Sequence, residues 1–311
     1  MTMNGKRPIL VTGSHRSGTT WVGKMLALSP NIFYIHEPFN PLTRPGIFAA
    51  RFPRPFTYIT RENATLYEDS LRATLERRYS FRNEWKTFRA PRDIGRMMRD
   101  SFLFSRSRSR NDRPLMKDPL ALFSAEWLAE TFDMQVVVMI RHPAAFVASL
   151  KNKDWRFDFN NFLEQPLLMR DHLSPFEEAI RGQVAGGGSL IDQAILLWRI
   201  IHQTILGFRE RHSDWVFLRH EDLSREPAAG FEFLFSQLNL NFSDEVRATI
   251  TRHTSDANPA VASGDTSVFE VRRDSRANIF GWKKRLSEEA VDRVRTRLAD
   301  IWPRLYSEQD W

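Results

Sequence analysis

The segment with the clearest chemistry is a glycine-bearing loop, Gly13-Ser14-His15-Arg16-Ser17-Gly18-Thr19-Thr20. A short apolar run, residues 8–12, precedes the loop, and a helical pattern follows it. Two glycines five positions apart allow the backbone to turn tightly and direct several N–H groups inward, and the start of a helix adds partial positive charge. The loop therefore predicts a phosphate-binding site.

The loop departs from the Walker A pattern G-x-x-x-x-G-K-[ST] at one position, because Thr19 stands where that pattern has lysine. The Walker lysine reaches the β and γ phosphates of a nucleoside triphosphate, so its replacement disfavours a kinase or NTPase. Arg16, inside the loop, can supply positive charge to a phosphate instead. A glycine-bearing turn without a ligand is the structural alternative.

A second candidate phosphate contact follows the most apolar strand pattern, residues 135–140. Arg141 comes directly after this strand, and Ser149 lies eight residues further along the predicted helix. Open α/β sheets bind ligands at the carboxyl ends of their strands, and a guanidinium group with a hydroxyl group binds phosphate strongly. The run Arg141-His142-Pro143 is also typical of an ordinary helix start with proline in its first turn.

These motifs, in this order, resemble those of the PAPS-dependent sulfotransferases, where PAPS is 3′-phosphoadenosine 5′-phosphosulfate. Residues 16–21, Arg-Ser-Gly-Thr-Thr-Trp, look like the family's 5′-phosphosulfate loop, in the arginine form typical of its tyrosylprotein and carbohydrate branches. Residues 136–143 with Ser149 look like its 3′-phosphate motif. The resemblance implies that the donor is bound by Ser14, His15, Arg16, Ser17, Gly18, Thr19, Thr20, Arg141 and Ser149.

Three catalytic residues follow from the same resemblance. Glu37, in His-Glu-Pro after the second predicted strand, matches the position of a catalytic glutamate and would accept the acceptor's proton. His36 is the rival base. Lys117, in Met-Lys-Asp-Pro, resembles a lysine that stabilises the transferring group, and Arg16 would stabilise the leaving phosphate.

The last matching segment, residues 272–286, resembles a basic loop that folds over the 3′-phosphate of the donor. Ser275 and Arg276 are the cofactor contacts that this segment implies. The run His-Glu-Asp-Leu at 220–223 also resembles a family segment, and its role is interpreted as structural: Glu221 or Asp222 is expected to cap the helix that follows.

Short apolar runs alternate with helical patterns along the chain, which predicts an α/β fold. Strands are expected at 8–12, 31–35, 114–117, 135–140 and 215–218. We expect a single P-loop-NTPase-like domain over 1–311, with a parallel sheet of about five strands and helices on both faces. Insertions at about 40–113 and 152–190 are expected to form walls or lids of the acceptor site, or packed peripheral helices.

Composition limits the chemistry further. The 311 residues include no cysteine, which excludes disulfides, thiolate metal sites and cysteine nucleophiles. The eight histidines show no metal-ligand spacing, so no metal is expected. The sequence contains no run of ~18 apolar residues, so no membrane span is expected. The N-terminal apolar run is too short for the core of a signal peptide, which favours a cytoplasmic protein. The excess of 45 basic over 38 acidic residues suits an anionic ligand.

The sequence thus predicts an enzyme that transfers the sulfuryl group of PAPS to a hydroxyl or amine acceptor, such as a glycan, a lipid or a small molecule.

A P-loop kinase and a nucleic-acid-binding module are the rival hypotheses. The nucleic-acid hypothesis depends on eight arginines against three acids in residues 89–113, which also suit a wall for an acidic or sugar acceptor. No nucleic-acid partner is expected. Trp155, Phe157 and Phe159 could stack on an acceptor ring or belong to the core. The acceptor and the oligomeric state stay open.

Overall fold

Five parallel strands form one sheet in the computed structural model, which describes residues 6–186, 188–255 and 275–311. The strands are β1 Ile9–Gly13, β2 Ile32–His36, β3 Arg113–Lys117, β4 Gln135–Ile140 and β5 Val216–Arg219. Their spatial order is β2-β3-β1-β4-β5, and every neighbouring pair is parallel. Each predicted strand is confirmed to within a residue or two, and β4 has the bounds that its apolar pattern predicts.

Helices connect these strands and cover both faces of the sheet. They are α1 Thr19–Leu26, α2 Glu68–Leu75, α3 Phe81–Trp85, α4 Pro91–Ser109, α5 Ala125–Phe132, α6 Pro143–Asn152, α7 Asn160–Leu163, α8 Pro166–Leu168, α9 Glu177–Val184, α10 Leu190–Arg211, α11 His220–Arg225, α12 Pro227–Gln237, α13 Asp244–Thr254 and α14 Glu288–Arg297. A 3₁₀ segment, Pro119–Ser124, joins β3 to α5.

Both faces of the sheet are buried, because alternate residues of the central strands enter two separate hydrophobic clusters. Leu10 and Val138 belong to the cluster that includes α5, α6, α10 and α14, here called the α10 face. Val11 and Val137 belong to the cluster that includes α1, α12 and α13, here called the α1 face. Burial on both faces explains why these strands read as continuous apolar runs. The predicted fold class is therefore confirmed.

The two insertions pack on the α10 face. Phe39, Phe48 and Phe52 of the first insertion region are buried in stacked pairs, with ring centroids 4.2 and 4.6 Å apart. In the second insertion Phe159 is buried in the core, whereas Trp155 is 45% exposed. Phe159 therefore belongs to the core, whereas stacking of Trp155 on an acceptor ring stays a prediction.

The start of the phosphate-binding loop depends on a glycine contact. Gly13 has φ 124°, and a Cβ there would overlap the carbonyl oxygen of Met139 in β4. Gly13 and Met139 are paired in the β1–β4 register, so the overlap would fall between two central strands. We expect any side chain at position 13 to force these strands apart.

Gly13→Ala should therefore lower the free energy of unfolding by about 2 kcal/mol or more, because it adds both backbone strain and a backbone clash. Gly95→Ala is the matched control, since a Cβ at that α4 position has open space and alanine should raise helix stability by up to ~1 kcal/mol. Urea unfolding followed by circular dichroism measures both. Equal midpoints for the two variants would contradict this account.

Candidate active site

The predicted phosphate-binding loop connects β1 to α1 at the carboxyl edge of the sheet. The Ser14 N–H donates to Met139 O at 3.1 Å, and the Ser17 hydroxyl donates to the Ser14 carbonyl, so the loop closes on itself. Gly18, the N-cap of α1, has φ 88°, and a Cβ there would lie 2.6 Å from Nδ1 of His220. The loop and the N-terminus of α1 form the anion-binding geometry that the sequence predicted.

A cavity of about 430 Å³ lies beside this loop. The predicted site residues that line it are His15, Arg16, Gly18, Thr19, Thr20, Glu37, Arg141 and Ser275. Four more lie buried behind it: Ser14, Ser17, Lys117 and Ser149. Arg276 lies outside the lining, where its guanidinium group bonds the Arg225 carbonyl and Glu226. Arg272 and Arg273 of the late loop fall outside the described residues.

The predicted 5′-phosphate and 3′-phosphate residues contact one another directly. Arg16 Nε donates to Ser149 Oγ at 3.0 Å, and Arg141 Nη1 donates to the Arg16 carbonyl at 2.6 Å. Arg16 has φ 64°, so its carbonyl is turned toward Arg141 by a left-handed backbone. Two guanidinium groups beside a helix N-terminus concentrate positive charge at one end of the cavity.

Hydrogen bonds from Trp198 and Glu221 hold the peptide between Arg141 and His142, and Tyr306 in turn holds Glu221. The Trp198 indole N–H donates to the Arg141 carbonyl at 2.9 Å, and the His142 N–H donates to Glu221 Oε1 at 3.1 Å. The Tyr306 hydroxyl donates to Glu221 Oε2 at 2.8 Å. Glu221 is 2% exposed, and its burial raises the pKa of the carboxyl group. These bonds fix the point where Arg141 leaves β4.

The prediction that Glu221 or Asp222 caps the following helix is wrong. Both carboxylates lie in the first turn of α11, which begins at His220 directly after β5 ends at Arg219, and the helix expected to follow them, α12, has Glu226 at its N-cap. Asp222 forms an ion pair with Arg219, whereas Glu221 points into the protein toward His142. The strand and the helix meet without a loop, which leaves no capping position for either residue.

Glu37 and Lys117 form an ion pair at the ends of β2 and β3. The Glu37 N–H donates to the Lys117 carbonyl at 2.9 Å, which extends the pairing of the two strands, and Lys117 Nζ donates to Glu37 Oε1. The Lys117 side chain is fully buried. Asn40 Nδ2 donates to Glu37 Oε2 at 3.3 Å. The carboxyl group is thus held by two donors.

Two opposing effects set the pKa of Glu37. Burial raises it, but the charge and hydrogen bond of Lys117 outweigh burial, so the pKa of Glu37 lies below its ordinary value. Burial lowers the pKa of Lys117, and its contact with Glu37 opposes that effect. Glu37 is therefore a carboxylate at neutral pH and can accept a proton.

Asp118 and His36 are the ionisable residues beside Glu37 that could rival it as a base. Burial, followed by the charge of Glu37, raises the pKa of Asp118 to about 7. Asp118 accepts the N–H of Phe39 at 2.6 Å and so fixes the turn after Glu37. Burial, followed by the charge of Lys117, lowers the pKa of His36 to about 4, and His36 lies outside the cavity lining, 3.1 Å from the Tyr34 hydroxyl. The geometry favours Glu37 over His36 as the base.

Several lining residues were not predicted as site residues. Trp21 and His220 contact each other at 5.7 Å between ring centroids, and both line the cavity with Ser224 and His253. Among the described atoms, the buried Trp21 Nε1 has no hydrogen-bond partner. His220 directly follows β5, so the rule that ligands bind at strand ends could have identified it. Ser224 and His253 have no such signal.

Neither a metal cluster nor a membrane span is found in the part of the chain that the structure describes. Within those residues no group of three or more His, Asp or Glu side chains could hold a metal ion. No helix among them is both long and apolar enough to cross a bilayer.

A parallel α/β sheet that gathers cationic side chains and a helix N-terminus at its carboxyl edge is the framework of nucleotide-dependent group-transfer enzymes. The sequence model of the sulfotransferase family matches residues 8–244, which is most of the chain. The chain therefore belongs to the sulfotransferase family, and the predicted family and enzyme class are confirmed. A comparison with curated proteins gives no match.

Three solved structures to which the chain is similar carry the name sulfotransferase. The chain is similar to the sulfotransferase domain of the Synechococcus PCC 7002 olefin synthase, with 16% identity, coverage of 99% of this chain and 98% of that one, and a TM-score of 0.48. Sulfotransferase STF9 of Mycobacterium avium is 14% identical, with coverage of 98% of this chain and 78% of that one and a TM-score of 0.46. Mouse sulfotransferase SULT7A1, complexed with PAP, is 12% identical, with coverage of 98% of this chain and 86% of that one and a TM-score of 0.43.

Lys117→Met should raise the pKa of Glu37, because it removes the charge and the hydrogen bond that lower this pKa and leaves the burial that raises it. Titration of the Glu37 carboxyl carbon by ¹³C NMR measures the change. Lys153→Met, which removes an exposed lysine at the end of α6, is the control and should leave the Glu37 pKa nearly unchanged. A lower or unchanged Glu37 pKa in Lys117→Met would show that Lys117 does not hold the carboxylate in its charged form.

Proposed function

We propose that this sulfotransferase transfers the sulfuryl group of PAPS to a hydroxyl or amine acceptor, with Glu37 as the general base. The observation that carries the proposal is that Glu37 and the phosphate-binding loop line the same cavity. The acceptor oxygen would form a bond to sulfur while the bond from sulfur to the 5′-phosphate oxygen breaks. The proton would move to a Glu37 carboxylate oxygen, and the products would be a sulfate ester and adenosine 3′,5′-bisphosphate.

The donor would occupy the cationic end of the cavity. The loop residues, Ser14 to Thr20, would bind the 5′-phosphosulfate through the N-terminus of α1 and the Arg16 guanidinium group. Arg141 and Ser149 would bind the 3′-phosphate, together with Ser275, which also lines the cavity. Trp21 and His220 supply aromatic surface for the adenine beside this end. No metal is required, since the side chains and the helix N-terminus provide the positive charge.

Charge on the transferring group would be stabilised by preorganised donors, which is the main catalytic effect expected for such transfers. Arg16 is already placed by Ser149. Lys117 Nζ is bonded to Glu37, so it acts first on the base. Once Glu37 takes the proton, its attraction for Lys117 falls, and the ammonium group can turn to an oxygen of the transferring group. Thr20, in the first turn of α1, lines the same space.

The whole chain, residues 1–311, is proposed to act as one domain in which the insertions build the acceptor side. Residues 40, 41 and 55 of the first insertion and Trp155 of the second line the cavity. Helices α2, α3 and α4 of the first insertion and α7, α8 and α9 of the second contribute no residue to the lining.

Adenosine 3′,5′-bisphosphate at ~100 times its Kd should raise the melting temperature by roughly 5 °C, because a ligand that binds only the folded state stabilises it by ~2.7 kcal/mol at that concentration. Arg141→Ala should abolish most of this shift, and Arg209→Ala, at the exposed end of α10, should preserve it. Differential scanning fluorimetry measures both. A shift with ATP and Mg²⁺ but none with the bisphosphate would instead support a kinase.

Glu37→Gln should reduce sulfuryl transfer by ~10²-fold or more, because the amide cannot accept the proton. Its affinity for adenosine 3′,5′-bisphosphate should be unchanged, since Glu37 lies away from the phosphate contacts. Glu178→Gln removes an exposed carboxylate of α9 and serves as the control. Transfer of ³⁵S from labelled PAPS to acceptor gives the rate, and near-normal turnover in Glu37→Gln would eliminate Glu37 as the base.

A further inference from the structure

Helices α3 and α4 and the turn between them expose a concentrated set of apolar side chains. This segment, residues 81–110, is here called the α4 surface. Its exposed large apolar side chains are Phe81, Trp85, Phe88, Met98, Phe102 and Leu103. They are half of the large apolar side chains that are exposed in the described chain. Exposed apolar side chains that are concentrated in one region mark a surface that contacts a partner.

All exposed charges of the α4 surface are positive. Its exposed basic residues are Arg82, Lys86, Arg89, Arg92, Arg99, Arg106, Arg108 and Arg110. Its three acidic residues, Glu84, Asp93 and Asp100, are buried. All the exposed basic residues except Arg99 and Arg110 form no salt bridge with a carboxylate of the described residues. The surface therefore presents positive charge that the described part of the protein does not neutralise.

The buried acids hold the segment in this shape. Glu84 accepts the Gly46 N–H at 2.8 Å and pairs with Arg96 at 3.6 Å, which joins α3 to α4 and to the start of the first insertion. Asp93 accepts the Arg89 N–H at 3.0 Å and so fixes the turn before α4. The cationic surface is thus a feature of the folded protein, and its formation needs no partner.

Helix α4 directs apolar and basic side chains outward together. Met97 and Phe104 are buried, whereas Met98 and Phe102 are 62% and 63% exposed. Met98 and Phe102 are four positions apart, so they lie on one face of the helix, and Arg106 continues this face four positions further on. The long Arg106 side chain can extend its charge beyond the apolar groups. Apolar side chains beside arginines are typical of a helix that lies in a membrane interface.

Three of the exposed rings of this surface pack on one another. The ring centroids of Phe81 and Trp85 lie 5.9 Å apart and those of Trp85 and Phe88 lie 5.2 Å apart, with interplanar angles of 25° and 7°. A nucleic-acid base needs a free ring face for stacking, and this stack uses ring faces internally. A bilayer interface makes no such demand and favours tryptophan. The exposed aliphatic side chains, Met98 and Leu103, likewise suit lipid better than bases.

The α4 surface is separate from the active-site cavity. None of the described residues that line the cavity belongs to 81–110. The last arginine of the arginine-rich segment 89–113, Arg113, is buried and donates to the Leu238 carbonyl at 2.6 Å. Within the described lining, this segment therefore forms no wall for an acidic or sugar acceptor. A ligand of its exposed arginines must bind on the outside of the protein.

We propose that the α4 surface binds peripherally to an anionic lipid bilayer. The exposed apolar side chains would enter the headgroup region, and the exposed basic side chains would contact the phosphates and other anionic groups of the lipids. The apolar side chains distinguish this partner from a nucleic acid, and the positive charge distinguishes it from a neutral membrane. A second copy of the same surface is disfavoured, because it would bring like charges together.

The test is cosedimentation of the full chain with two kinds of vesicle, one of phosphatidylcholine alone and one that also contains roughly 30% phosphatidylglycerol as the anionic lipid. At low salt the anionic vesicles should bind the protein at least ~10-fold more tightly, because each basic side chain near an anionic surface favours binding. Sodium chloride at roughly 0.5 M should remove most of this preference by screening. Equal binding to both vesicles, or no binding at millimolar lipid, would overturn the proposal.

The double variant Arg92→Gln with Arg106→Gln tests the basic side chains. It should weaken binding to the anionic vesicles by ~10-fold or more, since two exposed charges without a carboxylate partner are lost. The matched control is Arg209→Gln with Lys284→Gln, which removes two exposed charges outside residues 81–110 and should have little effect. Equal losses in the two double variants would show an effect of net charge alone and contradict the assignment.

Phe102→Ser tests the apolar side chains. It should weaken binding to the anionic vesicles by roughly tenfold, because an apolar group that enters the interface is lost. Phe233→Ser, at an exposed position of α12, is the control and should bind normally. A labelled single-stranded oligonucleotide that binds more tightly than the vesicles, and equally well to Phe102→Ser, would assign the surface to a nucleic acid and overturn the proposal.

Tryptophan fluorescence locates the contact without weakening it. Lipids with brominated acyl chains should quench the fluorescence of bound protein, and Trp85→Phe should bind nearly as well but lose most of this quenching. Trp85 is the one tryptophan of residues 81–110 in the sequence. Trp155→Phe removes a tryptophan that is 45% exposed elsewhere and should leave the quenching intact. Quenching that persists in Trp85→Phe would contradict the proposed orientation.

Discussion

The contact between Gly13 and the backbone of β4 sets the geometry of this site. Because the strands are parallel and tightly paired, β1 ends beside Met139, two residues before Arg141 leaves β4. On its other side β1 pairs with β3 so that Val11 lies opposite Lys117. The phosphate-binding loop, the arginine and the lysine therefore emerge at one edge, within reach of a single ligand. A side chain at position 13 would separate the strands on which all three depend.

Charge is distributed unevenly around the cavity. Positive charge is concentrated where the loop meets the N-terminus of α1. There Arg16 donates to a serine hydroxyl and Arg141 to a backbone carbonyl, and neither of these bonds neutralises a guanidinium charge. Lys117 differs because its partner is Glu37, and this pairing lowers the pKa of the Glu37 carboxyl group below its ordinary value.

Rigidity of the arginine at the end of β4 comes from distant parts of the chain. Trp198 in α10, Glu221 in α11 and Tyr306 near the C-terminus all bond the peptide of Arg141 and His142 or its immediate partner. The buried carboxyl group of Glu221 accepts hydrogen bonds from His142 and Tyr306, and loss of either donor would leave one of its oxygens buried without a partner. The placement of one cofactor arginine thus depends on elements that lie far from it in sequence.

The sequence by itself determined the sheet and the family, because strand periodicity and short motifs at strand ends are local properties of the chain. The motifs also singled out eight of the residues that line the cavity, among them Arg16, Glu37 and Arg141. The sequence carried no signal for Ser224 or His253 as cavity residues, and it assigned Glu221 or Asp222 a capping role that the structure excludes. It also left open whether the arginines of 89–113 face a ligand. Only the tertiary structure decided these points, because long-range packing selects the side chains that share a cavity and those that pair with one another.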